Sequence, residues 1–212
     1  MKYKWLNQGV NIERNNKLIL FFNGWGMDEC IVKHLEPEDY DVLMFYDYNT
    51  LETDFDFESL NIYPEKNIIA WSMGVMISAY LIPSLALPLG EGKCTAINGT
   101  LKHIDEEYGI HPKIYDLTIK GFNEKGRKRF IDSMFNESID INCNREIDEQ
   151  HSELIALKNY QADETFKYNK VLISDNDKII PTKSQVAFWG IEPNLKSGHC
   201  PFFNFTKWSE LL

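Results

Sequence analysis

The chain has 212 residues, 43% of them hydrophobic, and a formal net charge of −10. That length suits one substantial core and is short for two domains, so a single domain over residues 1–212 is expected. The acidic balance argues against a nucleic-acid partner, which calls for a basic excess to neutralise phosphates, and no apolar run approaches the roughly eighteen residues of a membrane span.

The opening MKYKWLNQGV has neither an apolar stretch nor a small-residue cleavage site of a secretory signal, so a soluble, cytoplasmic protein is expected. Cys30, Cys94, Cys143 and Cys200 are scattered without a CxxC pair and read as reduced thiols rather than a disulfide framework or a zinc site.

In chain order, KLILFFN (17–23) and YDVLMFYD (40–47) are the first strand candidates: short, apolar or aromatic, and bounded by turn residues. Glu52, Asp54, Asp56 and Glu58 follow and read as a solvated loop. NIIAWS (67–72) is the next strand, and Met73 to Ile82 has helical spacing through Val75, Met76, Ala79, Tyr80 and Leu81. PSLALPLGEG (83–92) is a connection to the strand KCTAINGT (93–100). Residues 105–168 break the rhythm, with helical patterns around Asn123 to Phe135 and Glu146 to Tyr160, and read as a helical insertion. NKVLISD (169–175) is a late strand, and a helix follows Pro181 over Ser184 to Trp189. Strands alternating with helices, several of them apolar throughout, predict an α/β class with a parallel sheet buried on both faces.

Ser72 stands between the strand NIIAW and the helix MGVMISAYL. In isolation it reads as a helix-capping serine. Its context is that of a nucleophile elbow, a tight strand-to-helix turn that exposes the hydroxyl at the carboxyl end of the sheet. The positions two before and two after must be small where strand and helix pass close together, and they are Ala70 and Gly74. The usual pattern is G-x-S-x-G, from which Ala70 departs by one methyl.

A serine hydroxyl needs a base, and the usual one is a histidine oriented by a carboxylate. VLISDNDKIIP supplies Asp175 and Asp177 past the late strand, and SGHCPFF supplies His199 near the end, in the order Ser, acid, His. An oxyanion hole needs two backbone N–H groups, each worth about 2.7–4 kcal/mol in the transition state. Met73, after the serine, offers one; the turn in LILFFNGWGM, relaxed by Gly24, offers Trp25 as the other.

FFNGWGMDE, AWSMG, DNDKIIP and SGHCPFF together resemble the α/β-hydrolase superfamily. Within it, the run NGTLKHIDEEYGIHP (98–112) makes the chain similar to the short BioG-type pimeloyl-[acyl-carrier protein] methyl ester esterases of biotin synthesis. The resemblance implies an α/β-hydrolase fold with a helical cap over about 105–168, a catalytic Ser72, Asp177 and His199, and an oxyanion hole from Trp25 and Met73. The D-x-x-[VI]-P spacing of relatives favours Asp177 as the acid, with Asp175 in reserve. Asn23, where many relatives have His, and Ala70 are the two departures.

The same resemblance implies an acyl-carrier protein as partner and an apolar channel for which Trp25 and Trp71 are the candidate walls, a plain core position being the alternative for either; no cofactor or metal is expected. Carrier proteins are acidic, so the basic run in the insertion, Arg127, Lys128 and Arg129, is the expected docking site, with Lys120 and Lys125 nearby. A merely solvated helix face is the alternative. Arg145 stands alone, and His103, Asp105 and His111 have no metal-ligand spacing. Two other functions share these residues: hydrolysis of free small esters or thioesters, and a noncatalytic binding module on the same fold.

Overall fold

The computed structural model describes residues 1–9, 16–135, 139, 141 and 143–212. Six strands form one sheet, β1 Lys2–Asn7, β2 Lys17–Phe22, β3 Tyr40–Tyr46, β4 Glu65–Trp71, β5 Cys94–Ile97 and β6 Lys170–Leu172, in the order β1-β3-β2-β4-β5-β6. β1 runs antiparallel to β3, and the other neighbours are parallel. This is the mostly parallel sheet that the sequence predicts.

LILFF is apolar throughout because both its faces are covered. Leu18, Leu20 and Phe22 join Ile68 and Ala70 in a core with helix α1 (Met73–Leu85), where Val75, Met76 and Ala79 pack. Ile19 and Phe21, on the opposite face, join Ile69, Trp71 and Ile97 beneath Phe202, Trp208 and Leu211. The two-residue period thus divides one apolar run between two cores. The second face is closed by short 3-10 turns at Phe202–Asn204 and Trp208–Leu211.

Register sets the position of the site. Phe22 pairs with Ala70, Ala70 with Ala96 and Ala96 with Val171, so β2, β4, β5 and β6 end level with one another. The residues leaving them, Asn23, Ser72, Asn98 and Ser174, emerge at one edge, where ligands bind in open parallel sheets. Between β5 and β6 lie helices α2 Pro112–Gly121, α3 Glu124–Met134 and α4 Ile147–Leu157, and α5 (Thr182–Trp189) follows β6. α3 and α4 match the two helical patterns read in the insertion. Residues 136–138, 140 and 142 of that insertion lie outside the described residues.

Two elements are additional to the sequence reading. β1 is a half-exposed edge strand whose Lys2 and Lys4 pair with Asp47 and Glu29, so it carries no apolar run. α2 starts with Pro112 in its first turn and an N-cap at His111, but among its apolar residues only Tyr115 is buried, while Ile114 and Leu117 face outward.

Candidate functional site

Ser72 has φ 58° and ψ −122°, a backbone region that costs a non-glycine residue about 1–3 kcal/mol. The neighbours that impose it are close. Its N–H donates to Ile97 O at 2.9 Å, and its side chain makes no cap bond to α1, so the hydroxyl is not used as a helix cap. A methyl on Gly74 would lie 2.2 Å from Phe22 O and 2.7 Å from Asn23 O, and one on Gly99 would lie 2.4 Å from Ser72 O. Ala70, by contrast, sits fully buried beside Ala96 in register, a small neighbour that accommodates its methyl.

His199 Nε2 lies 2.8 Å from Ser72 Oγ, and His199 Nδ1 lies 2.7 Å from Asp177 Oδ2, all three side chains being buried. Asp177 Oδ1 accepts from the amides of Ile179 (2.8 Å) and Ile180 (3.1 Å), and Oδ2 also accepts from Gln185 Nε2 at 2.8 Å. Asp175 is exposed and accepts instead from the Ser197 amide at 3.2 Å. Of the two acids, then, Asp177 is the one within reach of His199.

The histidine loop is held from beneath. His199 O accepts from Trp71 Nε1 and from Asn98 Nδ2, each at 2.8 Å. Asn98, itself at φ 46°, also bonds Ser174 through both side-chain atoms, tying the ends of β5 and β6 to the loop. The Cys200 N–H donates to Met134 O at 3.0 Å, which fastens the same loop to the end of α3.

Above the serine the NGWG turn passes closely: a methyl on Gly24 would lie 2.7 Å from the Trp71 ring and 3.2 Å from Ser72 Cβ. The N–H groups of Trp25 and Met73 have no protein acceptor among the described residues. Trp25, Ser72 and Met73 line a cavity of about 100 Å³ whose other walls include Ile110, Tyr115, Phe130 and Leu154. A larger, open depression of about 600 Å³ between α3 and Cys143–Ile147 does not reach Ser72.

A comparison with known proteins matches residues 1–211 to the family "Pimeloyl-ACP methyl esterase BioG". The chain belongs to the BioG family. It superposes on the crystal structure of BioG from Haemophilus influenzae with a TM-score of 0.85 at 30% identity, covering 100% of this chain and 99% of the other. It is 37% identical over 180 residues to a malonyl-[acyl-carrier protein] O-methyltransferase of Bacteroides fragilis (strain 638R), covering 81% of this chain but spanning only 36% of that protein. A putative aryl esterase from Burkholderia cenocepacia shares the fold, with a TM-score of 0.64 at 13% identity. Membership in the BioG family places the chain among the hydrolases, as an esterase of biotin biosynthesis. Among the described residues no helix is long and apolar enough to cross a membrane.

Other residues singled out in this BioG-family sequence are placed differently from expectation. Trp71 is not a channel wall: it shares a sheet face with Ile69, packs edge-on to Phe202 and supports His199 from the far side of the cavity. Trp25 does line the cavity, its Nε1 donating to Gln150 O at 2.8 Å and its ring edge-on to Phe122 and Phe130. Arg127 is not a free docking charge, because its guanidinium donates to Cys143 O at 2.7 Å and Arg145 O at 3.1 Å. Lys128 is exposed and pairs with Asp132 one turn on, and Arg129, Lys120 and Lys125 are exposed.

The expectation of reduced thiols fails for two cysteines: Cys30 and Cys143, 113 residues apart, form a disulfide, a pairing that spacing could not reveal. Cys94 and Cys200 are free and buried, and burial pushes the Cys94 thiol up to about 11. His103 bonds Leu157 O, His111 caps α2, and Asp105 caps a turn through the amides of Glu107 and Tyr108. Arg145, isolated in sequence, is buried against Asp47 and Glu153. The His103–Leu157 and Arg145–Asp47 contacts join residues far apart in the chain, which the sequence pattern does not bring together.

Proposed function

We propose that the chain is a serine esterase that hydrolyses the methyl ester of a pimeloyl group carried on an acyl-carrier protein, through Ser72, His199 and Asp177. The observation that carries this reading is the relay of 2.8 Å and 2.7 Å contacts from Ser72 Oγ through His199 to Asp177, opening into an apolar cavity. Asp177 accepts the His199 Nδ1–H, which leaves Nε2 free to take the Ser72 proton. Oγ then attacks the ester carbon, and the oxygen that gains charge faces the Trp25 and Met73 amides. His199 returns its proton to the departing methoxide, releasing methanol and leaving the acyl group on Ser72. Water, deprotonated by His199, attacks the acyl carbon, and the acid leaves with Ser72 restored.

Chain length and carrier are read by position, since a thioester is intrinsically the more reactive acyl group. The cavity continues outward into a groove that shares Ile114, Thr118, Phe130 and Ile179 with it and adds Leu117 and Arg129. Arg129, flanked by exposed Lys125 and Lys128, gives this apolar groove a positive rim suited to an acidic carrier, while Arg127 serves the interior.

Methanol release from pimeloyl-carrier methyl ester, set against the same ester without its carrier, tests the substrate. We expect strong preference for the carrier-bound ester, weakened at least tenfold in kcat/KM by Arg129→Glu. Equal turnover of both esters, unchanged by Arg129→Glu, would return the reading to an esterase of free small esters. Fluorophosphonate labelling that persists in Ser72→Ala would refute the serine mechanism altogether.

A further inference from the structure

The proposed oxyanion hole depends on a short turn closed by Met27 N–H to Gly24 O at 3.4 Å and Asn23 Nδ2 to Asp28 O at 2.9 Å. Asn23 Oδ1 accepts from the Gly24 amide at 2.8 Å, and Asn23 O accepts from Tyr48 Oη at 2.9 Å. The next constraint comes from the cap. Glu153 on α4 is fully buried; its Oε2 accepts from the Gly26 amide at 3.2 Å, and its Oε1 accepts from the Tyr48 amide at 2.9 Å. One carboxylate therefore joins the turn after β2 to the loop after β3.

Arg145 Nη1 donates to the same Oε2 at 2.9 Å, and its Nη2 forms an ion pair with Asp47 at 3.1 Å. Gln150, one turn before Glu153, accepts from Trp25 Nε1 through its carbonyl, and its side-chain amide donates to Arg145 O at 3.0 Å. Gly26 adopts φ 72°, so the turn reverses at the point where Glu153 grips it.

We infer that Glu153, paired with the buried Arg145, is a positioning residue for the oxyanion hole: it holds the turn that presents the Trp25 amide to the reacting oxygen. The inference rests on the esterase reading above. Peptide units are planar, so bonding the Gly24 and Gly26 amides pins the Asn23–Gly24 and Trp25–Gly26 units, which flank the Gly24–Trp25 unit that carries the Trp25 N–H, and so limits how that N–H can rotate. A buried ion pair stabilises a fold poorly relative to apolar residues of the same volume, whereas a carboxylate has acceptor sites enough for two amides and a guanidinium together. A neutral amide does not. In Glu153→Gln one of the two backbone N–H groups, or Arg145, meets another donor.

The test compares wild type, Glu153→Gln and the double variant Glu153→Gln with Arg145→Met, which leaves no unpaired buried charge. Steady-state hydrolysis of a soluble methyl ester is measured together with affinity for an alkyl boronic acid, which forms a tetrahedral adduct on the serine. We expect kcat to fall about 10- to 100-fold in both variants with KM within about twofold, and boronate affinity to fall by a similar factor. Such a split separates positioning from general loss of structure, which would lower the active fraction and leave boronate affinity of the remainder intact. Unchanged kcat in a folded variant, or a fall in kcat with wild-type boronate affinity, would overturn the inference. A wild-type protein that neither turns over ester nor reacts with fluorophosphonate would instead overturn the esterase reading beneath it.

Discussion

Gly74→Ala is the sharpest test of how the elbow is built. A methyl at position 74 would stand 2.2 Å from Phe22 O and 2.7 Å from Asn23 O, both backbone atoms at the end of β2. The first distance falls about 1.3 Å short of the roughly 3.5 Å at which non-bonded heavy atoms are comfortable, and no side-chain rotation relieves it. Either α1 lifts off the sheet or the NGWG turn moves. Overpacking of this kind costs about 1–3 kcal/mol, equivalent to a Tm lowered by roughly 2–12 °C in a chain of this size. The catalytic cost should be larger, because a displacement of ~1 Å between nucleophile and oxyanion donors is worth about 10²-fold in rate. Ala70→Gly is the control: it restores the common elbow pattern, removes a methyl that packs without strain, and should cost about 0.5–1 kcal/mol with kcat unchanged. Thermal melts and ester hydrolysis on both variants decide the matter. A Gly74→Ala protein with wild-type Tm and kcat within about threefold would refute the reasoning that β2 and α1 are in contact at this point.

Asp177→Asn should lower kcat by about 10⁴ while Asp175→Asn leaves it near wild type, since only Asp177 reaches His199; equal losses in the two would contradict this assignment. Trp71→Phe deletes the indole N–H that holds His199 O, and a fall of about tenfold in kcat with unchanged KM is expected; a raised KM with normal kcat would return Trp71 to the substrate channel. Burial lowers the His103 pKa from 6.5 to about 4, so the folded state holds this ring neutral while the unfolded chain protonates first. Its contribution is therefore complete above about pH 6.5 and is lost as pH falls towards 4, by on the order of 3 kcal/mol. In His103→Gln, urea unfolding at pH 7 and pH 4.5 should show a shallower loss than wild type, and equal losses would count against the assignment.

The strands β2 to β5 were legible because burial on both faces writes an apolar run, the half-buried edge strand β6 because turn residues bound it, and α1 because its start is fixed by the elbow. β1 escaped notice as a lysine-bearing edge, and α2 because its exposed Ile114 and Leu117 erase the usual inward stripe. Ser72 and His199 could be named from chain order and strand context, which left the acid between Asp175 and Asp177; the spacing seen in relatives favoured Asp177. The groups that orient them could not. Asn98, Gln185, Glu153 and Arg145 are polar residues whose contacts join separate elements, with Asn98 reaching His199 across 101 residues and Glu153 reaching Gly26 across 127. Trp71 was misplaced for a related reason: both sheet faces are apolar, so alternation divides the residues without telling which face carries the cavity.

The attachment of α4 to the NGWG turn bears on how ester could enter. Trp25 Nε1, the Gly26 amide and the Tyr48 amide are all bonded to this helix, so lifting it as a lid would dismantle the proposed oxyanion hole. Admission would then fall to α2 and α3, whose outer groove already meets the cavity. Under that arrangement an acyl group meets the full set of donors only after the entrance has been passed, and the gate and the chemistry keep separate clocks.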